Sequence, residues 1–114
     1  MVDEEFVLCE SHAIMRYLFT TKYVSDHWYP KDSKKRALVD QYLDWHHTNL
    51  RVGAGHQIYQ RVFGPMVGLK VNESELVSKG KILKNSLKYI NNLLSQNIYL
   101  CSDTISIADL SCFC

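Results

Sequence analysis

The sequence predicts a mainly all-α fold in which a short strand–helix unit precedes a helical body. Two apolar patterns at helical spacing carry most of this. One runs through Val39, Tyr42, Leu43, His46 and Leu50, and the other through Leu76, Gly80, Leu83, Leu87, Ile90 and Leu94. Helix-start signatures at Asn72–Glu75 and Ser106–Asp109 support it, each followed by apolar residues. Phe6-Val7-Leu8 alone reads as a strand, ending where a helix begins.

The elements follow in order. Ser11 is a good N-cap type for a helix to about Tyr23, with Ala13, Ile14, Tyr17 and Leu18 on one face. His27-Trp28-Tyr29-Pro30 is a connector, because Pro30 holds Tyr29 extended. Asp32 or Ser33 caps the next helix. Its early Lys34, Lys35 and Arg36 sit at the wrong end for the helix dipole, so packing must offset them. Gly53 and Gly55 imply a kink or a close backbone approach. Gly64-Pro65 and Gly68 mark a loop. Val71 and Leu76 occupy staple positions around the Asn72 cap of a helix reaching about Ser95. Ile105 and Leu110 do the same around Ser106, and the chain ends about two turns later, as expected of a chain cut short.

Composition sets the outer limits. The 114 residues suit one compact domain, with 13 Lys and Arg against 12 Asp and Glu and a net charge of +1. That balance excludes a global field towards nucleic acid or an acidic membrane. A hydrophobic share of 46% with 22% charged residues is globular rather than disordered. No apolar run approaches the ~20 residues of a membrane span. The acidic start, Asp3-Glu4-Glu5, is neither signal nor transit peptide. Cys9, Cys101, Cys112 and Cys114 are therefore expected reduced, in the cytoplasm.

Few residues carry chemistry. Glu10-Ser11 lies at a strand-to-helix junction, where free N–H groups attract anions. A serine hydroxyl beside a carboxylate suits an amino-acid-like zwitterion, and plain helix capping is the alternative. Thr48, Asn49, Leu50 and Arg51 close a polar, aromatic stretch from Trp45. Arg51 either faces a cleft with Thr48 or is solvated or salt-bridged. His46 and His47 point about 100° apart and do not share a metal; His56 is too far along, so no metal is expected. Cys112-x-Cys114 lacks the two-residue spacing of zinc and redox motifs.

Four separated motifs resemble one family. Leu8-Cys9-Glu10-Ser11-His12-Ala13-Ile14 with Tyr17-Leu18 resembles the L-x-E-S-x-A-I-x-x-Y-L stretch of glutathione transferases. His27-Trp28-Tyr29-Pro30 with Arg36-Ala37, Val39-Asp40, Tyr42-Leu43 and Trp45 is similar to the theta class. So is Trp45-His46-His47-Thr48-Asn49-Leu50-Arg51, to plant-like forms in particular. Ile105-Ser106-Ile107-Ala108-Asp109-Leu110 resembles the family's capping box.

The resemblance implies that residues 1–26 end a thioredoxin-like domain, 27–32 form a linker, and 33–114 begin the all-helical C-terminal domain, truncated. It implies that Glu10 and Ser11 hold the γ-glutamyl end of glutathione. Thr48, Asn49, Leu50 and Arg51 would border the glutathione and electrophile sites. Ser106 and Asp109 would be a folding motif. The implied activity is transfer of the glutathione thiolate to small electrophiles, glutathione being co-substrate and no metal being used. A cytoplasmic homodimer is implied for the full-length parent, with no nucleic acid and no membrane span. The family's activating serine has no match among these residues, so the fragment alone is expected inactive. A non-catalytic helical interaction module is the alternative. Ser102 stands where relatives usually have glycine, which predicts a strained loop.

Overall fold

The computed structural model describes residues Met1–Phe113; Cys114, and with it the Cys112-x-Cys114 motif, lies outside the described residues. The chain forms two compact units. One is Met1–Leu43 with the described part of Asn97–Cys114, and the other is Asp44–Gln96.

The first unit opens with a hairpin. β1 (Val2–Asp3) pairs antiparallel with β2 (Phe6–Val7), Val2 opposite Val7 and Asp3 opposite Phe6. Phe6–Leu8 thus has a partner strand too short to leave a periodic pattern. A two-stranded ribbon is marginal by itself, and Tyr17 anchors this one. Its hydroxyl donates to Asp3 Oδ2 at 2.8 Å, and its ring lies 5.3 Å from that of Phe6.

α1 (Ser11–Thr21) stops two residues before Tyr23. Thr20 and Thr21 hydroxyls bond back to the carbonyls of Arg16 and Tyr17, and Lys22 turns extended. Glu10, not Ser11, occupies the cap position, and Ser11 is the first helical residue.

A 3₁₀ turn (Asp26–Trp28) leads to α2 (Ser33–Thr48). Asp32 is its cap, with Oδ1 accepting from the amides of Lys34 at 3.1 Å and Lys35 at 2.9 Å. The basic start of α2 is offset locally. Arg36 donates to the Pro30 carbonyl at 2.6 Å and stacks 4.7 Å over the Tyr29 ring. Asp40 ties α2 to α1, accepting from Arg16 Nε at 2.7 Å and from Tyr29 at 3.0 Å.

The unit's core holds Tyr29, Val39, Tyr42, Leu43, Leu100, Ile107 and Ala108. α6 (Ile107–Phe113) begins at a closed capping arrangement. Asp109 Oδ2 accepts from the Ser106 amide at 2.9 Å and its hydroxyl at 3.1 Å, while Oδ1 takes the Leu100 amide at 2.9 Å. The loop before it is unstrained at Ser102. Among the described residues only Glu4, Glu10 and Gly68 have positive φ, and Ser102 bonds to Thr104 instead.

The second unit is a helical hairpin. Asn49 breaks the chain between α2 and α3 (Leu50–Ile58), which runs straight through both glycines. Of these, only Gly53 marks a close approach: a Cβ there would lie 2.7 Å from the Leu83 amide, whereas Gly55 faces open space. Gly64-Pro65 is helical rather than a loop. A π turn (Tyr59–Phe63), closed by the Gly64 amide on the Tyr59 carbonyl, leads into α4 (Gly64–Met66). The widened turn shifts the bonding register just where Pro65 lacks an N–H. The chain reverses at Gly68, φ +78°.

α5 (Glu73–Leu94) packs on α3. Asn72 caps it through the Glu75 amide at 3.2 Å, but the box is only half closed. The Asn72 amide bonds to Gln60 Oε1, and the Glu75 carboxylate lies 3.2 Å from His56 Nε2. Gln57 adds a 2.8 Å bond to the Leu76 carbonyl. The apolar seam is also partly displaced: Leu76 is buried and Leu83 half-buried, but Leu87 is 54% and Leu94 47% exposed.

Candidate functional site

Glu10 and Ser11 belong to the first unit, at the start of α1. Glu10 has φ 69° and ψ 121°, a conformation that non-glycine residues hold only when their surroundings impose it. Its carbonyl accepts from the Ile14 amide at 2.9 Å, so the backbone is committed to the helix while the carboxylate makes no cap bond. No acidic residue follows in the first turn, so the positive helix end is not neutralised from within α1. Both side chains are exposed. The next residue, His12, is buried, with Nε2 2.8 Å from Ser111 Oγ. A carboxylate, a hydroxyl and the first N–H groups of α1 thus stand at neighbouring positions of the chain. An ammonium matches the first and a carboxylate the other two.

Thr48, Asn49, Leu50 and Arg51 belong to the second unit, at the break between α2 and α3. Asn49 Nδ2 donates to the Trp45 carbonyl and to Thr48 Oγ1, both at 3.0 Å, which fixes the corner. Leu50 is buried and anchors α3; Arg51 is exposed in its first turn. Asn49 also lines a cleft of about 200 Å³ with Trp45, Ile82, Asn85, Ser86 and Tyr89. The Trp45 and Tyr89 rings stand 4.4 Å apart in its wall. The α5 side of this cleft went unread in the sequence, because Tyr89 lies 44 positions beyond Trp45 and outside any local pattern.

The structure thus places the six candidate residues in two groups, one in each unit. Ser106 and Asp109 are joined to each other and to Leu100, in the first unit. His46 is buried and His47 exposed, as two successive helical positions require. Among the described residues no three His, Cys, Asp or Glu side chains gather as a metal site, and no helix is long and apolar enough to cross a membrane.

No family model matches the sequence. Individual proteins do. The chain is 42% identical to glutathione S-transferase T1 of Arabidopsis thaliana, over all of the chain and 48% of that protein. It is 35% identical to rat glutathione S-transferase theta-2, over 95% of the chain and 45% of the relative. Human glutathione transferase theta-2, solved with glutathione and an unknown ligand, superimposes with a TM-score of 0.90 at 31% identity, covering 98% of this chain and 46% of that one. A human theta-class enzyme holding the glutathione conjugate of 1-menaphthyl sulfate gives 0.87 at 33% identity, covering 96% and 45%. The chain spans about half the length of the curated relatives it matches.

Proposed function

We propose that this chain, a homologue of the theta-class glutathione transferases, is the glutathione-holding middle of a theta-type transferase that adds the glutathione thiolate to small electrophiles. In this reading residues 1–26 close a thioredoxin-like domain, 27–32 link, and 33–114 open the helical domain of a cytoplasmic homodimer. The observation that carries it is the imposed backbone of Glu10 beside Ser11 at an un-neutralised helix start. Glutathione brings a γ-glutamyl zwitterion to match it. Glu10 takes the ammonium, and Ser11 with the first amides of α1 takes the carboxylate. Thr48, Asn49 and Leu50 shape the border of the electrophile site, where Arg51 steadies negative charge on the electrophile or leaving group. Residues 1–114 contain no match to the activating serine and are inactive alone.

The test is kinetic, in the full-length enzyme. Glu10→Ala and Ser11→Ala should each raise the glutathione KM about tenfold with kcat little changed, as loss of uniform binding requires. Arg51→Ala should lower kcat and leave that KM alone. An unchanged glutathione KM in both Glu10→Ala and Ser11→Ala overturns the assignment. Turnover of a haloalkane by residues 1–114 above the buffer rate overturns their inactivity.

A further inference from the structure

The net charge of +1 conceals a separation of sign. Residues 44–96 carry seven Lys and Arg against three Asp and Glu, whereas the rest of the chain carries six against nine. The second unit is therefore strongly basic and the first acidic. Between Glu75 and Asp103 there are four lysines and no carboxylate.

Three of these lysines form a row. Lys81, Lys84 and Lys88 follow one another at steps of three and four along α5, so they share one face, and all three are exposed. The buried residues Leu76 and Ser86 and half-buried Leu83 and Leu93 lie on other sides of the helix. Val77, one turn before Lys81, extends the row and is 61% exposed; Leu87 flanks it. The acids of α5 do not answer it, since Glu73 sits two turns before Lys81 and Glu75 is turned to His56. None of the three lysines has an ion pair among the described residues. Like charges at these spacings repel, and interleaved acids would ordinarily relieve them.

We propose that this face of α5 docks reversibly on an anionic phospholipid surface. The row is a convex ridge, which meets a plane; a peptide asks for a groove. Lysines are point charges on flexible stems, suited to mobile headgroups rather than to a ligand of fixed geometry. Val77 and Leu87 offer aliphatic carbon at the headgroup boundary. The exposed face has no aromatic ring on which nucleic-acid bases would stack. The inference does not depend on the glutathione site, which uses other residues.

Flotation of the full chain with phosphatidylcholine vesicles containing roughly a third phosphatidylserine tests it. Binding is expected at about 0.05 M salt, absent at about 0.5 M and absent on pure phosphatidylcholine. Each single Lys→Gln change should weaken partition roughly fivefold at any of the three positions. Lys81→Gln, Lys84→Gln and Lys88→Gln together should abolish it, while Lys→Arg at all three should keep it. Loss of binding in the all-arginine variant, or retention in the all-glutamine one, overturns the proposal. So does absence of vesicle binding by the unaltered chain, or capture by soluble polyglutamate with none by vesicles, which would reassign the face to an acidic protein.

Discussion

His12 and Ser111, ninety-nine positions apart, share a buried 2.8 Å hydrogen bond that joins α1 to α6. The bond puts the first turn of α1, where Glu10 and Ser11 stand, under the control of the far end of the chain. Ser111→Ala removes one partner and leaves the imidazole short of it. Because an abandoned buried polar atom loses more than the net value of its bond, destabilisation of about 1–3 kcal/mol is expected. Urea titration should show a lower midpoint with an unchanged slope; an unchanged midpoint refutes it.

The two glycines of α3 should behave oppositely. Gly53→Ala drives a methyl group to 2.7 Å from the Leu83 amide and 2.8 Å from its Cα, backbone that cannot step aside singly. Separation of α3 from α5 and a loss of roughly 1–3 kcal/mol follow. Gly55→Ala meets nothing within 4 Å and should gain about 0.5–1 kcal/mol from helix propensity. Thermal melts of both variants decide this, and equal signs would refute it.

Cys101 should resist modification. Burial, and then the negative charge of Asp109, push its thiol up to about 12, and its sulfur lies 3.5 Å from the Leu38 carbonyl. At pH 8 iodoacetamide should label the exposed Cys9 first, as mass spectrometry of the peptides will show. The same shift affects stability. Between the unfolded thiol value near ~8.5 and about 12, the unfolded chain has released a proton that the folded chain keeps. Stability is therefore full below that window and falls as pH rises through it. Tyr42, also raised by burial, adds the same sign above its ordinary value. Cys101→Ala should flatten the alkaline loss; an identical pH profile would count against it.

Glu10→Gly separates strain from binding. Glycine accepts φ 69° freely, so the variant should gain on the order of 1 kcal/mol in stability. Loss of the carboxylate should weaken glutathione binding by the full-length protein. A variant both less stable and unaltered in glutathione titration contradicts both halves.

Local signals in the sequence proved the most legible. Asn72 caps α5 as its position three residues before Glu75 suggests, because both bonding partners lie within one turn. Ser106 and Asp109 meet for the same reason. Tertiary choices were illegible. Glu75 abandons the Asn72 amide for His56 on α3, nineteen positions back. Asp40 collects Arg16 and Tyr29 from separate elements. The α5 seam was legible only along part of its length, since nine residues of α3 span about 14 Å and twenty-two of α5 about 33 Å. Leu94 lies past what α3 reaches, whereas Leu87, next to buried Ser86 and two residues before the Tyr89 that meets Trp45, is exposed because of the side of α5 it occupies. At the candidate site, residue types were readable but the cap position was not. Ser11 favours capping by type, yet the strained backbone at Glu10 moves the helix start one residue back.

The wide turn at Tyr59–Phe63 has the arithmetic of an extra residue slipped into a helix. The wider turn, whose amide reaches five residues back, takes up that surplus position, so the residues after it keep the sides they would hold in an even spiral. Removing one residue from 59–63 should therefore return the turn to ordinary α-helical bonding and leave Pro65 and Met66 facing as they do. The surplus is confined to the turn itself, and a length change there should disturb the stretch less than one placed elsewhere in the same helix.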